Sequence, residues 1–181
     1  MRRSMESDPI REAYSLWIEN GWTESAEGLA AVSSILRVNQ VLARQADQIL
    51  APINLTFARY EVLVVLYFND GSLPLARLGR QLQVHQTSVT NLIDKLEAQG
   101  LIKRTPHPTD RRSTVAQITT AGSSLLRKAI KRLNADLFSN LGLTSEETRL
   151  LIAVLAKMRH SWGDFKEDQG WDIFALDGAA R

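Results

Sequence analysis

The residues LARLGRQLQVHQTSVTNLIDKLEAQGLIKRTPHPTDRRSTVAQIT, Leu75–Thr119, decide how the rest of the chain is read. Leu75, Leu78 and Leu82 recur at i, i+3 and i+7, which predicts a short helix with one buried stripe. Val89, Leu92, Ile93 and Leu96 then fall within a narrow arc at helical spacing, which predicts a second helix. Its other face carries Thr87, Asn91, Asp94 and Ala98, flanked by Thr90 and Lys95. Two helices joined by a turn, the second polar outside, describe a helix-turn-helix. A polar helix turned to solvent would give the same pattern, so the helix alone leaves both readings open.

The residues that follow tip the balance. Leu101–Arg104 and Thr114–Ile118 are rich in branched residues and predict two short strands. TPHPTDRRS lies between them, and its prolines and Asp110 suit a loop that ends on Arg111 and Arg112. Paired arginines at a hairpin tip suit a narrow minor groove, where negative potential concentrates. A helix-turn-helix followed by a basic two-stranded wing is a winged helix. On the helix, Gln86, Thr87, Thr90 and Asn91 are candidates for base edges, with Ser88 and Lys95 better placed for phosphates. Lys103 and Arg104 on the first strand, with Asp110, Arg111 and Arg112, complete the candidate DNA contacts. No arginine lies on the helix face, so strong guanine readout by that helix is not expected.

Charge distribution agrees. The whole chain of 181 residues is only +2. Between Arg77 and Arg132, however, eleven basic residues face three acidic ones, a local excess of eight. The first thirty residues and the last twenty are each acidic by three. A basic centre between acidic ends suits a nucleic-acid partner, although a solvated charged face would also produce it. The chain contains no cysteine, which excludes disulfides, thiolate metal sites and thiol redox sensing. His85, His107 and His160 lack metal-ligand spacing, and no nucleophile or phosphate-loop motif is present, so neither a metal, a cofactor nor an enzyme is expected. No apolar run approaches a membrane span and the N-terminus has no signal-like apolar segment, so the expected location is the cytoplasm.

Around this reader the pattern is helical. Asp8 and Pro9 open a helix with Ile10, Ala13, Tyr14, Trp17 and Ile18 on one side, stopping near Gly21. Trp22 to Gly28 reads as a connection, and Leu29–Leu50 as a long helix burying Val32, Ile35, Leu36, Leu42, Ala46 and Ile49. Thr56 caps a central helix, Phe57–Phe68, and Asn69-Asp70-Gly71 turns the chain. Thr119 or Thr120 opens a helix to about Leu141, with Leu126, Ile130, Leu133 and Leu137 at coiled-coil-like spacing. Thr144-Ser145-Glu146-Glu147 is a capping-box pattern for a helix to about Trp162, with a stripe of Leu151, Val154, Leu155, Met158 and Trp162. This divides the chain into an N-terminal extension (1–28), a central domain (29–162) and a tail (163–181). The central domain holds the reader at 74–119 and candidate dimerisation helices at 29–51 and 120–162. Apolar stripes at both ends exceed what one small core needs, so a homodimer is the economical expectation.

The stretch DRRSTVAQITTAG at 110–122 resembles the wing signature of the MarR family of bacterial transcription regulators, Asp-x-Arg followed by a strand ending in Leu-Thr-x-x-Gly. SVTNLIDKLEAQGLIKR at 88–104 is similar to the same family's recognition helix and its exit. The resemblance spans about Leu29 to Trp162. It implies a mainly helical winged-helix homodimer with interleaved terminal helices, two readers on a palindromic operator in double-stranded DNA, and Arg112 and Asp110 as the wing pair. It further implies a repressor relieved by a small effector, aromatic or phenolic. A crevice for such a ligand would be walled by Trp17, Ile35, Leu36, Asn39, Tyr60 and Val64. Two departures stand out: His85-Gln86 replaces the common Ser-Pro at the start of the recognition helix, and the peroxide-sensing cysteine is missing. The helix bearing Trp17 resembles an extension of the family's urate-responsive branch. A DNA-binding regulator without a ligand switch, and a helical protein–protein adaptor, remain as alternatives.

Overall fold

The computed structural model describes residues 7–82, 86–107, 109 and 113–166, with the side chains of Gln86 and Thr87 outside that description. The chain divides into two units, Met1–Leu137 and Phe138–Arg181.

In the first unit, α1 (Pro9–Glu19) opens as expected, with the Asp8 carboxylate accepting from the Ile10 amide at 3.0 Å. It folds back on α2 (Thr23–Leu50), and the Trp17 and Trp22 rings meet edge-on at 4.7 Å. α2 therefore begins at Thr23 rather than at Leu29, and most of the expected connection is helical. Packing explains the difference: Ala26 is buried, and the good helix formers around it outweigh Gly28, which costs about 1 kcal/mol inside a helix. Of the face expected to be buried, Ala46 is buried, whereas Val32, Ile35, Leu36 and Leu42 are exposed in the single chain.

A 3-10 turn (Ala51–Ile53) leads to α3 (Phe57–Phe68), whose first amide donates to Asp47 on α2 at 2.7 Å. α3 is central, with Val62, Leu63 and Leu66 fully buried. After it come β1 (Ser72–Pro74), α4 (Leu75–Leu82), α5 (Gln86–Ala98), β2 (Ile102–Pro106) and β3 (Thr114–Ile118). The antiparallel sheet has the order β1-β3-β2, pairing Leu73 with Ala116 and Arg104 with Ala116. β1 was not anticipated, because three residues show no alternation and Pro74 is tolerated only on an edge. Leu78, Val89, Ile93 and Leu96 are fully buried in one cluster with α3, as the spacing predicts.

α6 (Thr120–Leu133) gives way to a π-helical turn (Asn134–Phe138) instead of running on to Leu141. Leu126, Leu133 and Leu137 are buried in the unit's own cluster, and α6 packs on α2 and α3. The coiled-coil-like spacing thus serves the chain's own core. Within the segment 120–162 expected to dimerise, that stripe is already occupied.

The start of α6 is tied to the exit of α5. Gly100, at φ +68°, ends α5 with its amide on Glu97 O (2.8 Å) while the Leu101 amide reaches Leu96 O (2.9 Å), a Schellman closure. Thr119 then donates its amide to Leu101 O at 3.0 Å and its hydroxyl to Gly100 O at 2.8 Å. The same hydroxyl oxygen accepts from the Gly122 amide at 3.0 Å, capping α6. At Gly122 a methyl group would lie 2.1 Å from Leu101 O, so only glycine permits this approach.

In the second unit, α7 (Ser145–Ser161) has the expected capping box. The Glu147 amide donates to Thr144 Oγ1 at 3.2 Å, and the Thr144 amide to Glu147 Oε2 at 2.8 Å. The Thr144 amide, and after it the Thr144 hydroxyl, which donates to the same Oε2 at 2.9 Å, hold the Glu147 carboxyl below its usual value of 4.5. Leu150, Leu151, Val154 and Trp162 are exposed, and the Arg159 guanidinium sits over the Phe165 ring at 5.3 Å.

Two outcomes follow. Gly122→Ala should lower stability by about 1–3 kcal/mol in urea unfolding, since a backbone oxygen must move; a change near zero would contradict the close approach. The Glu147 carboxyl should titrate by NMR below 4.5. Because its pKa is depressed by folding, the box contributes fully above the unfolded value and is lost as pH falls through the lowered one. First-turn amides of α7 whose protection is unchanged across that window would count against it.

Candidate nucleic-acid interface

α5 is oriented by its buried side. Each of Val89, Ile93 and Leu96 contributes about 1.5–3 kcal/mol on burial, well above the roughly 1 kcal/mol of a single hydrogen bond. With that side fixed, Ser88, Thr90, Asn91, Asp94 and Lys95 are necessarily turned outward, and all five are exposed. Among the sequence candidates, the structure therefore brings Ser88, Thr90, Asn91 and Lys95 onto one accessible helix surface. The side chains of Gln86 and Thr87, and residues Asp110, Arg111 and Arg112 with His85, lie outside the described residues.

The wing strands sort their own basic residues by alternation. Ile102 is buried and Arg104 shares its face of β2, while Lys103 points the other way and is exposed. Arg104 accordingly turns back toward α5. Its amide and Nη1 donate to the two Glu97 carboxylate oxygens, both at 2.9 Å, and Nη2 meets Asp94 Oδ1. Arg104, expected among the DNA contacts, is thus engaged within the chain, and Lys103 is the residue of the pair that remains outward. The partners Asp94 and Glu97 were missed. Their signal was present in sequence: two acids three apart on a helix, followed across a glycine turn by a basic strand residue.

A second polar bridge joins the reader to its frame. Arg59 at the start of α3 donates to Gln99 Oε1 at 2.8 Å, and Gln99 Nε2 donates to Asn54 O at 3.3 Å. At the other end of α3, Asn69 Nδ2 donates to Val65 O and to Gln81 Oε1 on α4.

The candidate ligand residues are placed differently from one another. Tyr60 is buried, stacks on Phe57 at 5.6 Å, and has its phenol pushed above 10.0 by burial and secondarily by Glu61. Val64 packs against the same core. Ile35, Leu36 and Asn39 are exposed on α2, and Trp17 is half-buried against Trp22. Among the described residues no cluster of His, Asp and Glu could hold a metal ion, and no single helix is long and apolar enough to cross a membrane.

The comparisons with known proteins meet this geometry. The MarR family profile matches residues 53–113, which take in α3, β1, α4, α5 and β2 and stop just before β3. The multiple antibiotic resistance protein MarR of Escherichia coli (strain K12) is 28% identical over 123 residues, covering 67% of this chain and 85% of that protein. Among solved structures, Sco5413, a MarR family transcriptional regulator from Streptomyces coelicolor, superposes with a TM-score of 0.71 at 39% identity, covering 78% of this chain and 99% of that one. A mutant MarR from E. coli complexed with operator DNA superposes with a TM-score of 0.69 at 26% identity, covering 74% and 96%. This winged-helix chain belongs to the MarR family of transcriptional regulators.

Proposed function

We propose that the protein is a homodimeric repressor that reads a palindromic operator through α5 and the wing, and that a small aromatic ligand relieves it. The observation that carries the DNA reading is the outward surface of Ser88, Thr90, Asn91 and Lys95 on a helix whose opposite side is fully buried. An α-helix fits the major groove, Asn91 suits an adenine edge, and Thr90 offers a methyl to thymine. Ser88, Lys95 and Lys103 meet phosphates and set register. In this reading Gln86 and Thr87 join the base contacts, and Arg111 and Arg112 enter the minor groove with Asp110 holding one of them extended.

Dimerisation is supported by apolar residues with no partner in the single chain. On α2 these are Val32, Ile35, Leu36, Val38 and Leu42; on α7 they are Leu150, Leu151 and Val154, with Trp162 at its C-cap. Exposed apolar surface of that extent marks an interface. Repression follows from operator occupancy, which denies the promoter to polymerase. A ligand can relieve it only by binding one spacing of the two readers better than the other. Ile35, Leu36 and Asn39, exposed on α2, are the candidate walls on the dimer side, and Trp17, Tyr60 and Val64 the candidate walls on the other.

The test is a binding titration on a duplex selected by the protein from random-sequence DNA. Affinity should fall steeply with salt, the slope counting the phosphates neutralised. A flat response, or no selected sequence, would contradict DNA reading and favour a protein–protein adaptor. Asn91→Ala should cost about 1–3 kcal/mol and relax preference at one position, while Lys95→Ala should weaken all duplexes alike and lower the salt slope by about one. Arg112→Ala should cost a similar 1–3 kcal/mol if it enters the minor groove; unchanged affinity would remove the wing from the interface. Leu36→Glu should give a monomer by sedimentation, and a dimer that persists unchanged would move the interface off this part of α2.

A further inference from the structure

We propose that Arg104 is a positioning residue, which sets the angle between the recognition helix and the wing by forking across Asp94 and Glu97, and that it is not a phosphate contact. The proposal rests on the reading of α5 as a DNA-reading helix.

Three observations carry it. The β2 alternation places Arg104 on the face of buried Ile102, toward α5, with its side chain only 28% exposed. Its backbone amide and its guanidinium address the same Glu97 carboxylate, so strand and side chain are pinned to one point on the helix. The second arm of the fork takes Asp94, one helical turn away, so rotation of the hairpin about a single bond is blocked as well. No other ion pair among those described joins α5 to β2. The turn at Gly100 and the burial of Ile102 and Ala116 in one cluster with Val89, Ile93 and Leu96 also join the hairpin to α5, but apolar packing sets no direction in the way the fork does. Two carboxylates on the reading helix would repel phosphates if left unpaired, and the fork pairs both with one positive charge. A planar guanidinium presents its donors in the fixed fork this double contact needs; an ammonium does not, although it still meets a phosphate as a point charge.

That difference makes the proposal testable first with a variant of unchanged charge. The probes are the duplex selected by the wild-type chain and a scrambled duplex of equal length, at a temperature where circular dichroism shows every variant folded. For Arg104→Lys, affinity for the selected duplex should fall about tenfold or more, with scrambled-duplex affinity and salt slope unchanged. Glu97→Gln removes a negative charge, yet it should also weaken the selected duplex while strengthening the scrambled one. The double variant should be no worse than either single, because both remove one interaction. The proposal is overturned if Arg104→Lys matches wild type, or if Glu97→Gln strengthens both duplexes. A wild-type chain that selects no sequence would instead sink the DNA reading itself, so the two failures are distinguishable.

Discussion

The reader's position depends on a contact between backbone atoms at the Leu101 carbonyl. That oxygen closes onto the Thr119 amide, and the first turn of α6 is pressed against it so closely that Gly122 has no room for a side chain. One hydroxyl, that of Thr119, donates to the end of α5 and accepts from the start of α6. The recognition helix therefore ends, the hairpin begins and ends, and the next long helix starts within one small knot of hydrogen bonds. Such an arrangement is bistable or rigid but not softly deformable, because close-packed groups have nowhere to drift. Anything that shifts α6 must shift the base of the wing.

From that knot the energetics sort into two kinds. Burial orients the elements: Val89, Ile93 and Leu96 together outweigh any single polar contact of α5, and they turn its polar residues outward by default. Polar bridges then set angles that burial leaves loose. Arg59 with Gln99 holds the end of α5 to the start of α3, Asn69 with Gln81 holds α4 to the end of α3, and Arg104 holds the hairpin to α5. Exposed or half-exposed pairs of this sort contribute little to stability, about 1 kcal/mol or less each. Their effect is on geometry, and a reader of base edges is sensitive to geometry.

Periodic and locally capped features were legible in the sequence. Thr56, Thr119 and Thr144 cap helices where capping rules place them, and the α4 and α5 stripes are buried as spaced. Features that depend on distant partners were not. The first turns of α2 are helical because α1 folds back on them, and β1 exists only because β3 offers it an edge. The α6 stripe has coiled-coil-like spacing, yet spacing cannot say which core a leucine enters, and Leu126, Leu133 and Leu137 enter the chain's own. Arg104 reads as a DNA contact from its charge, but charge cannot say which way a strand residue points. Strand alternation from buried Ile102 places it on the side of α5, against Glu97 and Asp94.

The proposed homodimer would hold two readers at a set spacing. Hydroxyl-radical footprinting of the protein on its selected duplex measures this directly. Two symmetric patches of protection, centred about 10–10.5 base pairs apart or a multiple of that, are predicted, with strengthened protection where each wing enters the minor groove. A single patch without symmetry, on a duplex the protein still binds tightly, would contradict it.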